Sequence, residues 1–253
     1  MSINSHIYIP ESILNRFSFR DKDSRKMINY IDIKERQIKE STTRRFNSEM
    51  GYYTDNNETF LSSEIESSIG RIIRKVEDSI KQKNYKIPLT MKEEKNVIDY
   101  LTYSFLRCDF ESIYLKEKLN LNEDIKKIKN AIIELEIEKN RYGKEYSNYQ
   151  FVFWYNNTNY EFVLPSNFIY EVTEGKGNSI IIEVLTPKIA IQFFNEEEFK
   201  KLNIKNAVKI VDDNKQVKLL NEKTVSSSSL MKSDCIIGNE KSLIPILNYI
   251  KKT

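Results

Sequence analysis

The sequence predicts an α+β fold: an antiparallel helical core in the N-terminal half, followed by a small antiparallel β-sheet in the C-terminal half. Three observations carry this. Two long stretches, Glu58 to Lys83 and Met91 to Lys118, repeat apolar residues every three to four positions. A third, Asn122 to Lys139, keeps that period among dense charges. After Tyr146 the pattern becomes short β-branched and aromatic runs broken by Asn, Gly and Pro, the composition of strands and turns. The expected organisation is one domain over residues 1–253, mainly helical over 1–145 and mainly β over 146–253.

Each element has its own signal. Pro10, followed by Ile13, Leu14 and Phe17, predicts an extended entry into a short helix. Met27 to Ile33, MINYIDI, has strand composition and is a candidate extra strand of the sheet; the polar stretch Ile38 to Met50 reads as loop with a short helix at most. In Glu58 to Lys83 the residues Phe60, Leu61, Ile65, Ile69, Ile72, Ile73, Val76 and Ile80 mark one face, and Gly70 in mid-helix suggests close approach of another element. Pro88 ends that unit. The helix from Met91 to Lys118 is expected at the centre of the domain, opened by a capping box between Thr90 and Glu93 and antiparallel to its predecessor through the short connection. Asn122 to Lys139 carries an Ile125, Ile128, Ile132, Leu135 stripe. FVFWYNNTNYEFVLP reads as a hairpin around Asn156 to Asn159, SIIIEVL and IAIQFF as further strands, EEEFKKL as a short helix, AVKIV and QVKLL as weak alternation, Ser226 to Ser229 as loop, and Ser242 to Ile250 as a closing helix.

Composition narrows the function classes. The chain of 253 residues, 40% hydrophobic and 30% charged, has the length for a sizeable core. A net charge of +3 gives no global field toward nucleic acid, so such binding needs a local patch. No apolar run approaches the ~18 residues of a membrane span, and the N-terminus lacks the blocks of a signal peptide. The expectation is a cytoplasmic protein with no membrane partner. The single His6 rules out multi-histidine zinc sites and paired-histidine ribonuclease chemistry. Cys108 and Cys235 form neither a metal spacing nor a disulfide framework, and Cys108 reads as a small buried hydrophobe.

The candidate catalytic residues are Glu66, Arg107, Asp109 and His6. Antiparallel packing of the two long helices would let Glu66 and Arg107 pair in the interior, as a site or as a structural salt bridge. His6, Tyr8 and Arg16 could make a polar pocket against the central helix, or belong to a segment that simply docks there. Glu58, Glu64, Asp109 and Glu111 could include a cluster holding a divalent cation that activates water, or form a solvated face. The candidate nucleic-acid contacts are Arg44 and Arg45, with Tyr52 and Tyr53 as stacking rings, and Arg71, Arg74 and Lys75; a plain solvated surface is the alternative.

The opening His6-Ile7-Tyr8-Ile9-Pro10, with Leu14, Arg16 and Phe17, resembles a bacterial family of unknown function whose members open with a His-Tyr-Val-Pro…Leu-Arg-Asn-Phe motif. MINYIDI, the Glu58-x-x-Leu61…Ile65-Glu66 helix start, FVLPSNF and Leu185-Thr186-Pro187 are similar to further family stretches in the same order. Ile7 interrupts the His-Tyr step, and Pro165-Ser166-Asn167-Phe168 lacks the acid of the family's Ser-Asp-Asn-Pro. The resemblance implies an accessory protein of bacteria and their mobile elements, where phage-defence effectors are common. Two functions are therefore expected: an effector acting on nucleic acid, RNA in particular, as an abortive-infection-like toxin; or a non-enzymatic interaction protein, such as a phage-encoded inhibitor or sensor, that binds a protein partner. Homo-oligomerisation is compatible with both.

Overall fold

The computed structural model describes residues 4–167, 169–174, 178–195, 207–230 and 234–252. In chain order the elements are β1 (Asn4–His6), α1 (Glu11–Leu14), β2 (Arg20–Lys22), β3 (Arg25–Asp32), β4 (Gln37–Thr42), β5 (Ser48–Met50) and α2 (Asp55–Phe60). A π-helical segment (Leu61–Glu66) leads into α3 (Ser67–Lys81), and α4 (Met91–Arg107), α5 (Asp109–Lys118), α6 (Ile125–Lys139) and α7 (Arg141–Tyr146) follow. Then come β6 (Gln150–Asn156), β7 (Leu164–Pro165), β8 (Ile169–Glu174), β9 (Asn178–Thr186), β10 (Ile189–Phe194), β11 (Val208–Val211), α8 (Asn214–Leu230), β12 (Cys235–Ile237) and α9 (Glu240–Ile250).

This corrects the expected fold class. The fold is mixed α/β, with strands from Asn4 to Met50 as well as from Gln150 to Ile237, and helices in both halves. Ile38 to Met50, expected as loop, supplies β4 and β5. Residues 151–164 make no hairpin: β6 pairs with β10 antiparallel and β11 in parallel, while β7 pairs with β12. QVKLL lies in α8, which also takes in Ser226 to Ser229. EEEFKKL lies outside the described residues.

The chain forms two compact units, residues 1–8 with 47–149, and residues 9–46 with 150–253. In the first, β1 and β5 form a small antiparallel ladder beside α2 to α7. Thr54 caps α2, its hydroxyl accepting from the Asn57 amide, and the helix continues through the π-helical segment into α3. Apolar Ile69, Ile72, Ile73 and Val76 are buried along α3. Lys75, past the middle of α3, meets Glu93 near the start of α4, and Glu66 at the start of α3 meets Arg107 at the end of α4, so the helices run antiparallel as expected. The Thr90–Glu93 capping box is present. Gly70 does not mark a close approach: a Cβ there would meet nothing within 4 Å. The expected single helix from Met91 to Lys118 breaks at Cys108, whose backbone is extended (φ −68°, ψ 152°). Leu135 is exposed, and Glu136 takes the buried position, its carboxylate accepting from the Gly143 amide at 2.8 Å.

The second unit contains two five-stranded sheets. One has the order β11-β6-β10-β9-β8; in the other, β3 carries β4 along one side and both β2 and β12 along the other, with β7 beyond β12. All six residues of β10 are buried, so both faces of that strand are covered, and five of the six are apolar, with Gln192 the exception. A core of Ile31, Val163, Ile236, Leu243, Ile246 and Ile250 joins the second sheet to α9. Among the described residues no helix is long and apolar enough to cross a membrane.

Candidate functional site

The first unit holds a chain of charges in its interior. Arg107 occupies the last turn of α4, where a cation complements the helix dipole, and Glu66 closes the π-helical segment. Insertions of this kind recur at functional sites and re-aim the side chains that follow. Arg107 donates to the Glu66 carboxylate, and the pair is 5% and 18% exposed. The guanidinium also lies 3.5 Å from the Tyr8 carbonyl and 5.8 Å from the centre of the Tyr53 ring.

The break at Cys108 turns the chain so that Asp109 opens α5. Lys129 of α6, fully buried, bridges the break: its ammonium donates to the Arg107 carbonyl at 2.7 Å and pairs with Asp109 at 2.6 Å. It thereby satisfies a carbonyl that the end of α4 leaves without a helical partner. The Tyr8 hydroxyl donates to the other Asp109 oxygen at 2.7 Å. The rings of Tyr8 and Tyr52 lie 4.7 and 5.4 Å from the Lys129 ammonium, a cation–π contact on each.

Burial and charge oppose one another here. Burial pulls the Lys129 ammonium below its ordinary range against the attraction of Asp109. Burial also works against the Arg107 charge, but the adjacent Glu66 outweighs it and holds the guanidinium above its usual value. Burial raises the half-buried Glu58 carboxyl, with Arg107 opposing, and raises the Tyr53 phenol, whose hydroxyl donates to the Ile7 carbonyl.

Of the sequence candidates, Glu66, Arg107 and Asp109 share this interior network through Tyr8 and Lys129, and His6 is a buried residue of β1 opposite Ser48. Arg16 belongs to the other unit. Glu64 is exposed, and among the described residues no three His, Cys, Asp or Glu side chains come together as a cation site. Tyr52 and Tyr53, 7% and 3% exposed, are core residues rather than stacking platforms. Arg44 and Arg45 are exposed in the turn after β4 of the second unit; Arg71, Arg74 and Lys75 lie on α3 of the first, so they do not belong to one element. Arg71 is held along its own helix by the Ser67 and Ser68 hydroxyls, and Lys75 is paired with Glu93. Lys129 is the residue that sequence reasoning missed. Its signal was position: it falls between Ile128 and Ile132 within the apolar stripe of α6.

Chemically, the network is closed. Its cations are spent on carboxylates, carbonyls and rings, and its central ammonium is out of reach of a substrate. No protein-family model, curated protein or solved structure matches the chain.

Proposed function

We propose that the protein is a non-enzymatic interaction module that binds a protein partner and blocks or senses it. The observation that carries this is the burial of Arg107 and Lys129, 5% and 0% exposed, in contacts that complete each other. The charges best suited to catalysis hold helix ends and loops together instead, which supports a rigid binding scaffold.

The test is induced expression in a bacterium of wild type, Glu66→Gln and Arg107→Ala at matched levels of folded protein. Total RNA is run from each culture, and cross-linked species are resolved by mass. Intact RNA with a discrete polypeptide adduct is the expected result. RNA breakdown by wild type, lost in a folded Glu66→Gln variant, overturns the reading.

A phage-defence effector cleaving RNA is the second reading. The exposed Arg44, Arg45 and Arg74 favour it, as does Glu58, whose raised carboxyl suits a general acid. The RNA arm of the same experiment separates the two.

A further inference from the structure

We propose that β4 is the docking edge for a partner polypeptide, which adds beside it as an extended strand with an apolar middle and acidic flanks; this rests on the interaction reading above and names its surface. The hydrogen-bond phase of the β3–β4 ladder shows which groups are on offer. The Thr43 amide donates to the Lys26 carbonyl at 3.0 Å, so these two residues form a bonded pair just beyond the end of β4. Bonded and unbonded pairs alternate along an antiparallel ladder, so Ser41, Lys39 and Gln37 bond to Ile28, Tyr30 and Asp32 of β3. Ile38, Glu40 and Thr42 then turn their amides to the opposite side. Among the described residues no strand pairs with that side, and neither these three amides nor the carbonyls of Ile38 and Glu40 have a backbone partner.

Two features select the occupant. The first is spacing. The open groups recur at every second residue, about 6.8 Å apart, which another extended chain reproduces. Ile38 sits among them, half-buried against the core that α9 covers, so an apolar side chain beside it extends that core. The second is charge. The turns at the two ends of β4 carry Lys34 and Arg36 on one side and Arg44 and Arg45 on the other, all exposed. From residue 34 to residue 45 five cations face two anions, a surplus of three, as large as that of the whole chain. Both anions are engaged within the unit, Glu35 by Lys39 and Gln37, and Glu40 by Arg20. Acidic residues at both ends of an added strand meet this surplus.

The same charges exclude a second copy. Two β4 strands paired antiparallel about a twofold axis, centred on Lys39 or on Glu40, set that charge against its own copy, and they bring the basic turns together. Phosphate groups accept from amides but donate nothing to the Ile38 and Glu40 carbonyls, which sets a polypeptide ahead of a nucleic acid.

The test titrates isotope-labelled full-length protein with a pool of capped nonapeptides, each with two aspartates at either end and five residues drawn from Val, Ile and Thr between them. The Ile38, Glu40 and Thr42 amides should shift and gain protection from hydrogen exchange, with saturation below about 1 mM peptide. The same pool with its five central amides N-methylated, or with lysines replacing the aspartates, should bind at least about tenfold more weakly. Glu40→Pro removes one outward donor, leaves the bonded pairs of the β3–β4 ladder in place, and should weaken binding by about tenfold. Where that variant fails to fold, Arg36→Glu/Arg45→Glu decides: it changes only exposed charges, should keep the urea midpoint, and should weaken binding by about tenfold at low salt. No shift at the three amides, or equal responses to the parent and N-methylated pools, overturns the proposal. So does protection of the same amides by raised protein concentration alone, which reports a second copy. Tighter binding of a uridine oligonucleotide also overturns it and gives the turns to nucleic acid. A null here beside intact RNA and a cross-linked adduct moves the partner to another surface, whereas RNA cleavage removes the interaction reading itself.

Discussion

Replacing Arg107 with alanine should cost the fold far more than a surface change would. Its guanidinium is 5% exposed and serves Glu66, which is 18% exposed, and it lies against the Tyr53 ring. Removing one partner of a buried pair strands the other charge and typically costs about 3–5 kcal/mol. The residual access of water to Glu66 places this case near the lower end, about 3 kcal/mol. Glu66→Gln keeps an acceptor for the guanidinium and should cost about 2 kcal/mol. The double variant Glu66→Leu/Arg107→Met removes both charges and fills the space, so it should come within about 1 kcal/mol of wild type. Equilibrium urea unfolding, followed by circular dichroism and by tryptophan fluorescence, measures all three. An Arg107→Ala variant within about 0.5 kcal/mol of wild type would refute the buried pair. So would a double variant as unstable as the two single losses combined, because a structural pair must show coupling.

Four further outcomes follow from the structure. Lys129→Met should destabilise by about 2–3 kcal/mol, because the Arg107 carbonyl and Asp109 lose their shared donor; the urea midpoint reads it. Glu58 has a folded-state pKa raised by burial, so the folded protein holds its proton longer and stability falls as pH rises through the carboxylate range. Comparing wild type with Glu58→Gln at about pH 4 and about pH 7 should therefore show the balance moving toward the variant at the higher pH. Gly70→Ala, with open space around the added Cβ, should stabilise by about 1 kcal/mol, seen as a higher urea midpoint. Both thiols should react slowly with an aromatic disulfide reagent in the native protein and fast after unfolding: Cys108 is 3% exposed, and burial pushes Cys235 up to about 12.

The helices were legible because their signals are local. The Thr90–Glu93 capping box and the stripe of α3 need only neighbours in sequence, and the short connection to α4 fixed the antiparallel register that brings Glu66 to Arg107. The strands that were missed depend on distant partners. Gln37–Thr42 carries a single apolar residue, Ile38, and is extended because β3 offers it a ladder. Asn156 to Asn159 does form a tight local structure, with Asn156 Oδ1 accepting from the Thr158 amide at 2.9 Å. It ends β6 without returning the chain alongside it, since β10 and β11 already occupy both edges of that strand.

The interior network shows why a charge in an apolar band resists interpretation from sequence. Arg107 and Lys129 each sit in the buried stripe of a helix, and whether such a cation is a site or a strut depends on what other elements deliver to it. Asp109 is two residues beyond Arg107. In an unbroken helix those residues would point about 200° apart, and no single ammonium could serve the backbone of one and the carboxylate of the other. The extended backbone at Cys108 removes that obstacle, and Lys129 then reaches both, at 2.7 and 2.6 Å. The apolar period runs straight through Cys108, so nothing in the local pattern announces the break. What the break enables is a full set of partners for Lys129, and that set, more than burial alone, argues for a structural role: a reactive lysine needs an open side, and this one has its donors committed and its flanks covered by Tyr8 and Tyr52.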